Sequence, residues 1–312
     1  MNGLDILLIL PLALLLDYFL GEPPLPCHPV VWMGKLIEAG AKLGRRLTSG
    51  QQFYRGLGML LVIAVLFAGG AVWLLTLLKS WHYVVYIIGA AALLKTTFAA
   101  KELSRAAYRT KAALDDEAME TASDTLEALV SRRTEGLDKP LMVSAAVESV
   151  AESICDSVVA PLFYFVLFGV PGAMAYRVIN TLDAMIGYRG DNEYLGKASA
   201  VADDIINYIP ARITAGIIIL TAILKGGGDK AWQTAKNEHR KTASPNAGWP
   251  IAAMAGALEV HLNKTGSYNI GEQYNLPDTG AIAKSVKTAW VSVVIWGVIC
   301  LVAGGWLFVY QT

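Results

Sequence analysis

Polar and ionisable side chains gather at four places in an otherwise apolar chain, and their types and spacing limit the chemistry it can do. The first run is Asp17, Gly21-Glu22-Pro23-Pro24, Pro26, His28-Pro29-Val30 and Trp32-Met33-Gly34. Prolines 23, 24, 26 and 29 forbid a helix and predict a rigid extended loop. Either it is an interfacial connector anchored by Trp32, or it presents Glu22 and His28 to a ligand. The second run is Glu148, Glu152 and Asp156 at i, i+4, i+8. A helix turning roughly 100° per residue moves them only about 80° apart in total, so they share a face. Like charges at that spacing destabilise a bare helix. Mg²⁺ with nucleotide phosphates would offset them, as would Arg132 and Arg133, or water. The third run is Arg177, Asn180-Thr181, Asp183 and Gly187-Tyr188-Arg189, then Asp203-Asp204, Asn207, Pro210 and Arg212. Asn180, Asp183 and Gly187 are expected on one helix face, and Asp203 and Asn207 likewise share one. The fourth, Ser244-Pro245-Asn246-Ala247-Gly248-Trp249-Pro250, reads as a tight turn before a small-residue helix at 252–258.

Several chemistries are missing. No G-x-x-x-x-G-K-[ST], G-x-S-x-G or H-E-x-x-H motif occurs. His28, His82, His239 and His261 lack metal-ligand spacing. Cys27, Cys155 and Cys300 form no C-x-x-C pair, so they read as small buried residues and not as a zinc or disulfide framework.

The elements that must position these clusters are membrane helices. Of 312 residues, 54% are apolar and only 17% charged, with a mean hydropathy of +0.45. Soluble domains carry about 25% charge. Lys plus Arg and Asp plus Glu are 26 each, which removes the basic footprint of a nucleic-acid binder. Gly56–Leu78 and Thr288–Thr312 contain no charge and predict two strong spans. Ser157–Tyr176 is also uncharged but holds Pro161 and Pro171, and is expected to be broken or re-entrant. Weaker candidates are Leu4–Leu20, Trp81–Ala100 with Lys95 inside it, and Ile205–Leu224 with Arg212 inside it. Leu4–Leu20 starts beside Asp5 and ends at Asp17, unlike a cleaved signal peptide.

No strand pattern or internal repeat is found. The expected fold is all-α: a polytopic integral membrane protein with five or six membrane helices, one of them broken or re-entrant. The whole chain, 1–312, reads as one membrane-embedded domain with a helical insert at about 101–156. Lys35, Lys42, Arg45, Arg46 and Arg55 face only Glu38, which puts that loop in the cytoplasm and the N-terminus outside. The insert is then cytoplasmic, as is 225–287, with eight Lys/Arg and five Asp/Glu. Asp115 and Asp116 interrupt the insert, 131–140 is a loop, and Gly226-Gly227-Gly228 stops a helix.

Taken in order, Asp17–Gly34, Ser131–Phe163, Tyr176–Arg212 and Ser244–Leu258 resemble the adenosylcobinamide-phosphate synthase (CobD/CbiB) family of cobalamin biosynthesis. The resemblance implies a multi-pass protein of the cell's inner membrane with its active site toward the cytoplasm. It also implies ATP-dependent ligation, in which a propionate of adenosylcobyric acid is joined to the amine of aminopropanol or its O-phosphate. Mg²⁺ and ATP are then needed, the corrinoid is substrate and the bilayer is a partner. Glu152, Asp183, Asp203 and Asp204 become the catalytic candidates, and Glu152, Asp156 and Asp183 the metal ligands. Arg177, Arg189 and Arg212 suit phosphate or carboxylate, since a guanidinium forks onto oxyanions. Asn180, Asn207 and Asn246 suit corrin amides, and Trp32 and Trp249 the macrocycle. Glu22, His28, Arg132, Thr134 and Tyr188 complete the substrate-binding set.

The chain departs from the family pattern at three points. Arg132-Arg133-Thr134 stands for the usual Arg-Asp-Thr, Ala151-Glu152-Ser153 for Ala-Glu-Asn, and Ile251 for a frequent Glu after Trp-Pro. Because ATP is cytosolic, 177–204 should face the cytoplasm, so Ser157–Tyr176 should not cross as one straight helix. The competing readings are a corrinoid or ion transporter and a non-catalytic membrane sensor.

Overall fold

The computed structural model describes residues 2–44, 48–130, 134–187 and 193–311. The elements are helices α1 (Gly3–Phe19), α2 (Pro29–Gly44), α3 (Ser49–Trp81), α4 (Tyr83–Lys95), α5 (Ala100–Asp115), α6 (Met119–Glu127), α7 (Lys139–Ile154), α8 (Ala160–Ile186), α9 (Glu193–Ile206), α10 (Tyr208–Ile223), α11 (Gly228–Glu238), α12 (Gly248–Leu258) and α13 (Thr279–Gln311). Among the described residues, Ser49–Trp81, Tyr83–Asp115, Lys139–Ile186 and Thr279–Tyr310 are long and apolar enough to cross a membrane, and the pair α9–α10, bent by 49°, meets the same test only when taken together, as a broken span or a re-entrant loop. This is an all-α polytopic membrane protein with one short hairpin between α12 and α13.

Local chemistry sets the ends. Asn2 and Asp5 form a capping box at the start of α1, each side chain accepting from the other's backbone N–H. Asp138 accepts from the N–H of Leu141 and Pro140 occupies the first turn of α7. Gly226, at φ 83°, ends the turn after α10.

The expected break in the third apolar stretch is found at Gly169, whose φ of 72° and ψ of −168° interrupt α8. That backbone region is essentially glycine's alone, and Pro171 two residues on removes a further helical donor. A five-residue π turn, Cys155–Val159, joins α7 to α8. The indole Nε1 of Trp296 donates to the Val159 carbonyl there. Two expectations are corrected. The chain is not wholly helical: Leu262–Lys264 and Tyr268–Ile270 pair as an antiparallel hairpin, two three-residue strands too short to show an alternating pattern. Asp203 and Asn207 do not share a helix, because α9 ends at Ile206 and Asn207 sits in the break before α10.

The chain packs as two compact units: Met1–Ala99 with Ala160–Ile206 and Gly297–Thr312, and Ala100–Val159 with Asn207–Trp296. In the first, α1 runs parallel to α4, with Asp5 beside Tyr83 and Asp17 beside Lys95. α4 returns along α3, Gly89 facing Leu78. Glycines allow the closest crossings: a Cβ on Gly56 would lie 1.9 Å from Leu195 O, and one on Gly196 would lie 1.8 Å from Ile186 O. The second unit holds α5–α7, α10–α12, the hairpin and the first half of α13, so the expected insert is one part of it.

Candidate functional site

In the first unit the proline-rich loop closes over a buried ion cluster. Only a three-residue 3₁₀ turn, Leu25–Cys27, interrupts its extended course before α2 starts at Pro29. Lys95 is 4% exposed, and its ammonium donates to Glu22 Oε1 at 2.7 Å and to the Phe98 carbonyl at 3.2 Å and lies 3.1 Å from Asp17 Oδ1. His28 Nε2 is 2.6 Å from Glu22 Oε2. The backbone N–H of Val30 donates to His28 Nδ1 at 3.2 Å, which leaves the imidazole proton on Nε2, pointing at Glu22. Burial raises the Glu22 carboxyl, but the hydrogen bonds from His28 and Lys95 outweigh it and hold the group below its ordinary value. The Trp32 indole donates to Pro26 O at 2.8 Å and pins the loop. A cavity of about 680 Å³ opens beside this cluster, walled by Leu16, Leu20, Pro24, Trp32, Leu74 and Leu93.

The same unit carries a polar chain at α8–α9. Arg177 Nη1 donates to Asn180 Oδ1 and Asn180 Nδ2 to Asp203 Oδ1, each at 3.4 Å. Arg177 Nε is buried without a hydrogen-bond partner among the described residues. Buried donors are nearly always satisfied, so this one is suited to an oxyanion. Asp183 lies against Gly187, where a Cβ would come 1.9 Å from its Oδ1. Asp204 is partly exposed beside Asp203 on α9. The expected face of Asn180, Asp183 and Gly187 is retained to the end of α8, where the Gly187 N–H donates to Asp183 O.

In the second unit Arg212 is held over the Ser244–Pro250 turn. Its Nη1 donates to Tyr208 O at 2.7 Å and to Asn246 Oδ1 at 2.9 Å, and its guanidinium lies 3.6 Å from the Tyr208 ring centroid. The Trp249 ring is 5.5 Å from Arg212 and stacks on His239 at 3.9 Å. Trp249 Nε1 is a second buried donor without a partner among the described residues. Asn207 is buried, with Cys155 Sγ 3.9 Å from its Oδ1. Thr134 is fully buried and engaged with Ser123, its hydroxyl 2.7 Å from the serine's, so it ties the loop to α6.

The acidic face is split by its surroundings. Glu148 is buried and accepts from Ser144 and Tyr268, joining α7 to the hairpin. Glu152 is exposed, and Asp156 falls in the π turn, which shifts it off the α-helical register. Glu152 and Asp156 belong to the second unit and Asp183 to the first. No three described His, Cys, Asp or Glu side chains are grouped closely enough to hold an ion by themselves. An ion that arrives on a nucleotide needs only one or two carboxylates, and the oxygen donors Asp183, Asp203 and Asn180 are of the type Mg²⁺ takes. Arg132, Tyr188 and Arg189 lie outside the described residues.

Sequence reasoning placed Asp17 at the head of the first polar run and Lys95 inside an apolar stretch but assigned neither a role, although a lysine in such a stretch was itself the signal. His239 and Tyr268 carried none. A multi-pass helical membrane protein with polar clusters built at its helix breaks is the class these features define.

Comparison with known proteins narrows the class. The profile of the family described as CobD/Cbib protein matches residues 10–296, and the chain belongs to that family. It is 46% identical over 279 residues, 88% of this chain and 91% of the relative, to the cobalamin biosynthesis protein CobD of Dehalococcoides mccartyi. It is 39% identical over 295 residues, 93% and 92% of the two chains, to the protein of that name from Geobacter metallireducens. The probable cobalamin biosynthesis protein CobD of Methanothermobacter thermautotrophicus is 38% identical over 290 residues, 92% and 94%. No solved structure matches.

Proposed function

We propose that this chain makes adenosylcobinamide or its phosphate by joining the amine of aminopropanol, or of its O-phosphate, to a propionate of adenosylcobyric acid with ATP. The observation that carries the reading is the family match over residues 10–296, which takes in all four polar clusters. A propionate oxygen attacks the γ-phosphorus of ATP and ADP leaves. The amine nitrogen attacks the acyl phosphate carbon, inorganic phosphate leaves, and the nitrogen loses a proton to a base. Such phosphoryl transfer is mostly positioning and charge neutralisation, which Mg²⁺ supplies on the nucleotide.

In this reading Arg177, with its unpartnered Nε–H, and Arg212 take oxyanions. Asp183, Asp203 and Asp204 supply the hard oxygens, with Glu152 and Asp156 as further candidates. Trp249 offers an aromatic face and a free donor to the corrin periphery, with Asn246 and Asn207 near amide groups. The chain resides in the inner membrane with the site toward the cytoplasm.

Membranes given cobyric acid, aminopropanol phosphate and Mg-ATP should yield the corrinoid amide and ADP. Asp183→Asn and Glu152→Gln both keeping full synthesis would remove the carboxylate assignment. An Asp191→Cys protein should resist an external impermeant thiol reagent, and ready labelling from outside would reverse the orientation. A transporter is the second reading, favoured by the buried ion cluster and the helix broken at Gly169. Vesicle uptake without ATP turnover would select it.

A further inference from the structure

The cavity beside Glu22 has a polar end made almost wholly of acceptors. Lys95, the one cation among the described residues of its wall, is surrounded by oxygens of Glu22, Asp17 and Phe98 and has little to offer an anion. The Thr96 hydroxyl donates to Leu93 O and the Trp32 indole to Pro26 O, so these wall donors are also spent. His28 directs its proton at Glu22. Glu22 is different. Each of its oxygens takes one hydrogen bond, a carboxylate oxygen has a second lone pair, and its side chain is 25% exposed at the cavity. Two donors hold it as an anion while it faces an apolar space beside an aromatic ring. That combination repels phosphate and carboxylate and suits a positively charged donor.

We propose that this cavity is a primary-ammonium site, with the Glu22 carboxylate as the counter-ion and Trp32 and the leucine walls around the carbon skeleton. The ligand chemistry is a primary ammonium on a short carbon skeleton, common to a free amino alcohol and to an ethanolamine lipid headgroup. For the free amino alcohol the inference rests on the function proposed above and assigns the amine its place. Asp17 and Lys95 are then positioning residues, which hold Glu22 ionised and aimed at the cavity.

Cys27 gives a readout independent of turnover. It lines this cavity and is exposed, whereas Cys155 and Cys300 are buried, so maleimide modification of the folded protein reports on the cavity mouth. In purified protein in detergent, 1-aminopropan-2-ol and ethanolamine should each slow the modification of Cys27, while propane-1,2-diol and inorganic phosphate should not. Glu22→Gln removes a charge-assisted contact and should weaken the protecting amine about tenfold or more. Leu93→Trp fills the cavity, leaves the ion cluster intact and should abolish amine protection, which keeps the test decisive if Glu22→Gln does not fold.

Discs of phosphatidylethanolamine and phosphatidylcholine separate the sources. Slower labelling in the former, with no effect of free amine, makes the lipid the ligand; protection by free amine in both makes it the amino alcohol. Equal protection by diol and amine, protection by phosphate alone, or no protection by any ammonium compound overturns the site. Amide synthesis in the same preparation keeps the two proposals apart. Synthesis without protection sinks only the ammonium site, and protection without synthesis sinks only the reaction.

Discussion

Lys95→Met tests the account of the buried cluster most directly. The substitution keeps the length and apolar stem of the side chain and removes the ammonium. Glu22 retains His28 and is a quarter exposed, so most of the penalty falls on Asp17, whose side chain is 3% exposed beside the lost charge. Removing one partner of a buried pair costs about 3–5 kcal/mol, because the remaining charge stays desolvated. The lower end, about 3 kcal/mol, is expected here, since helix ends and the loop let some water reach Glu22. At about 2–4 °C per kcal/mol for domains of this order, the thermal midpoint should fall by roughly 6–12 °C. The Lys95–Phe98 ring contact, at 5.6 Å, adds little. Adding Asp17→Asn to Lys95→Met removes the carboxylate charge as well and should recover most of the loss, leaving the double variant within about 1 kcal/mol of the parent. The assay is thermal unfolding of purified protein in detergent, followed by tryptophan fluorescence. A single variant as stable as the parent, or a double variant no better than the single, would refute the argument that Asp17 depends on Lys95.

Because His28 and Lys95 hold Glu22 below its ordinary value of 4.5, its stabilisation should be fully present above that pH and lost as pH falls through the lowered value; Glu22→Gln should flatten this acid limb of the thermal midpoint. Gly196→Ala places a methyl 1.8 Å from Ile186 O and Gly56→Ala one 1.9 Å from Leu195 O, so each should lower the midpoint by the several degrees that about 1–3 kcal/mol of overpacking implies, while Gly58→Ala, with nothing within 4 Å, should not. Arg212→Lys loses the fork that reaches Tyr208 O, Asn246 and the Tyr208 ring together, and should cut amide synthesis about tenfold or more, where an Arg acting only as a point charge would tolerate the change.

Much of this molecule was legible in one dimension. Uncharged runs of about 20 residues gave the spans around Gly56–Leu78 and Thr288–Thr312, because a bilayer demands that length and composition locally. Paired prolines gave the rigid loop after Asp17, and a glycine-proline segment foretold the break found at Gly169. The short hairpin at 262–270 was not legible, since three-residue strands leave no periodic trace. Nor was the register shift at Asp156, because a π turn has no sequence signature of its own.

The sequence by itself determined that polar clusters sit at helix breaks in an apolar chain, since both hydropathy and backbone interruption are local properties. Only the tertiary structure decided which of those side chains meet. Lys95 lies 73 positions from Glu22 and Arg212 lies 34 from Asn246, and those pairings depend on how α1 packs against α4 and how α10 packs against α12. Inside a low-dielectric interior a charge must find its partner wherever packing brings one, and packing is a property of surfaces brought together that no single stretch of chain contains.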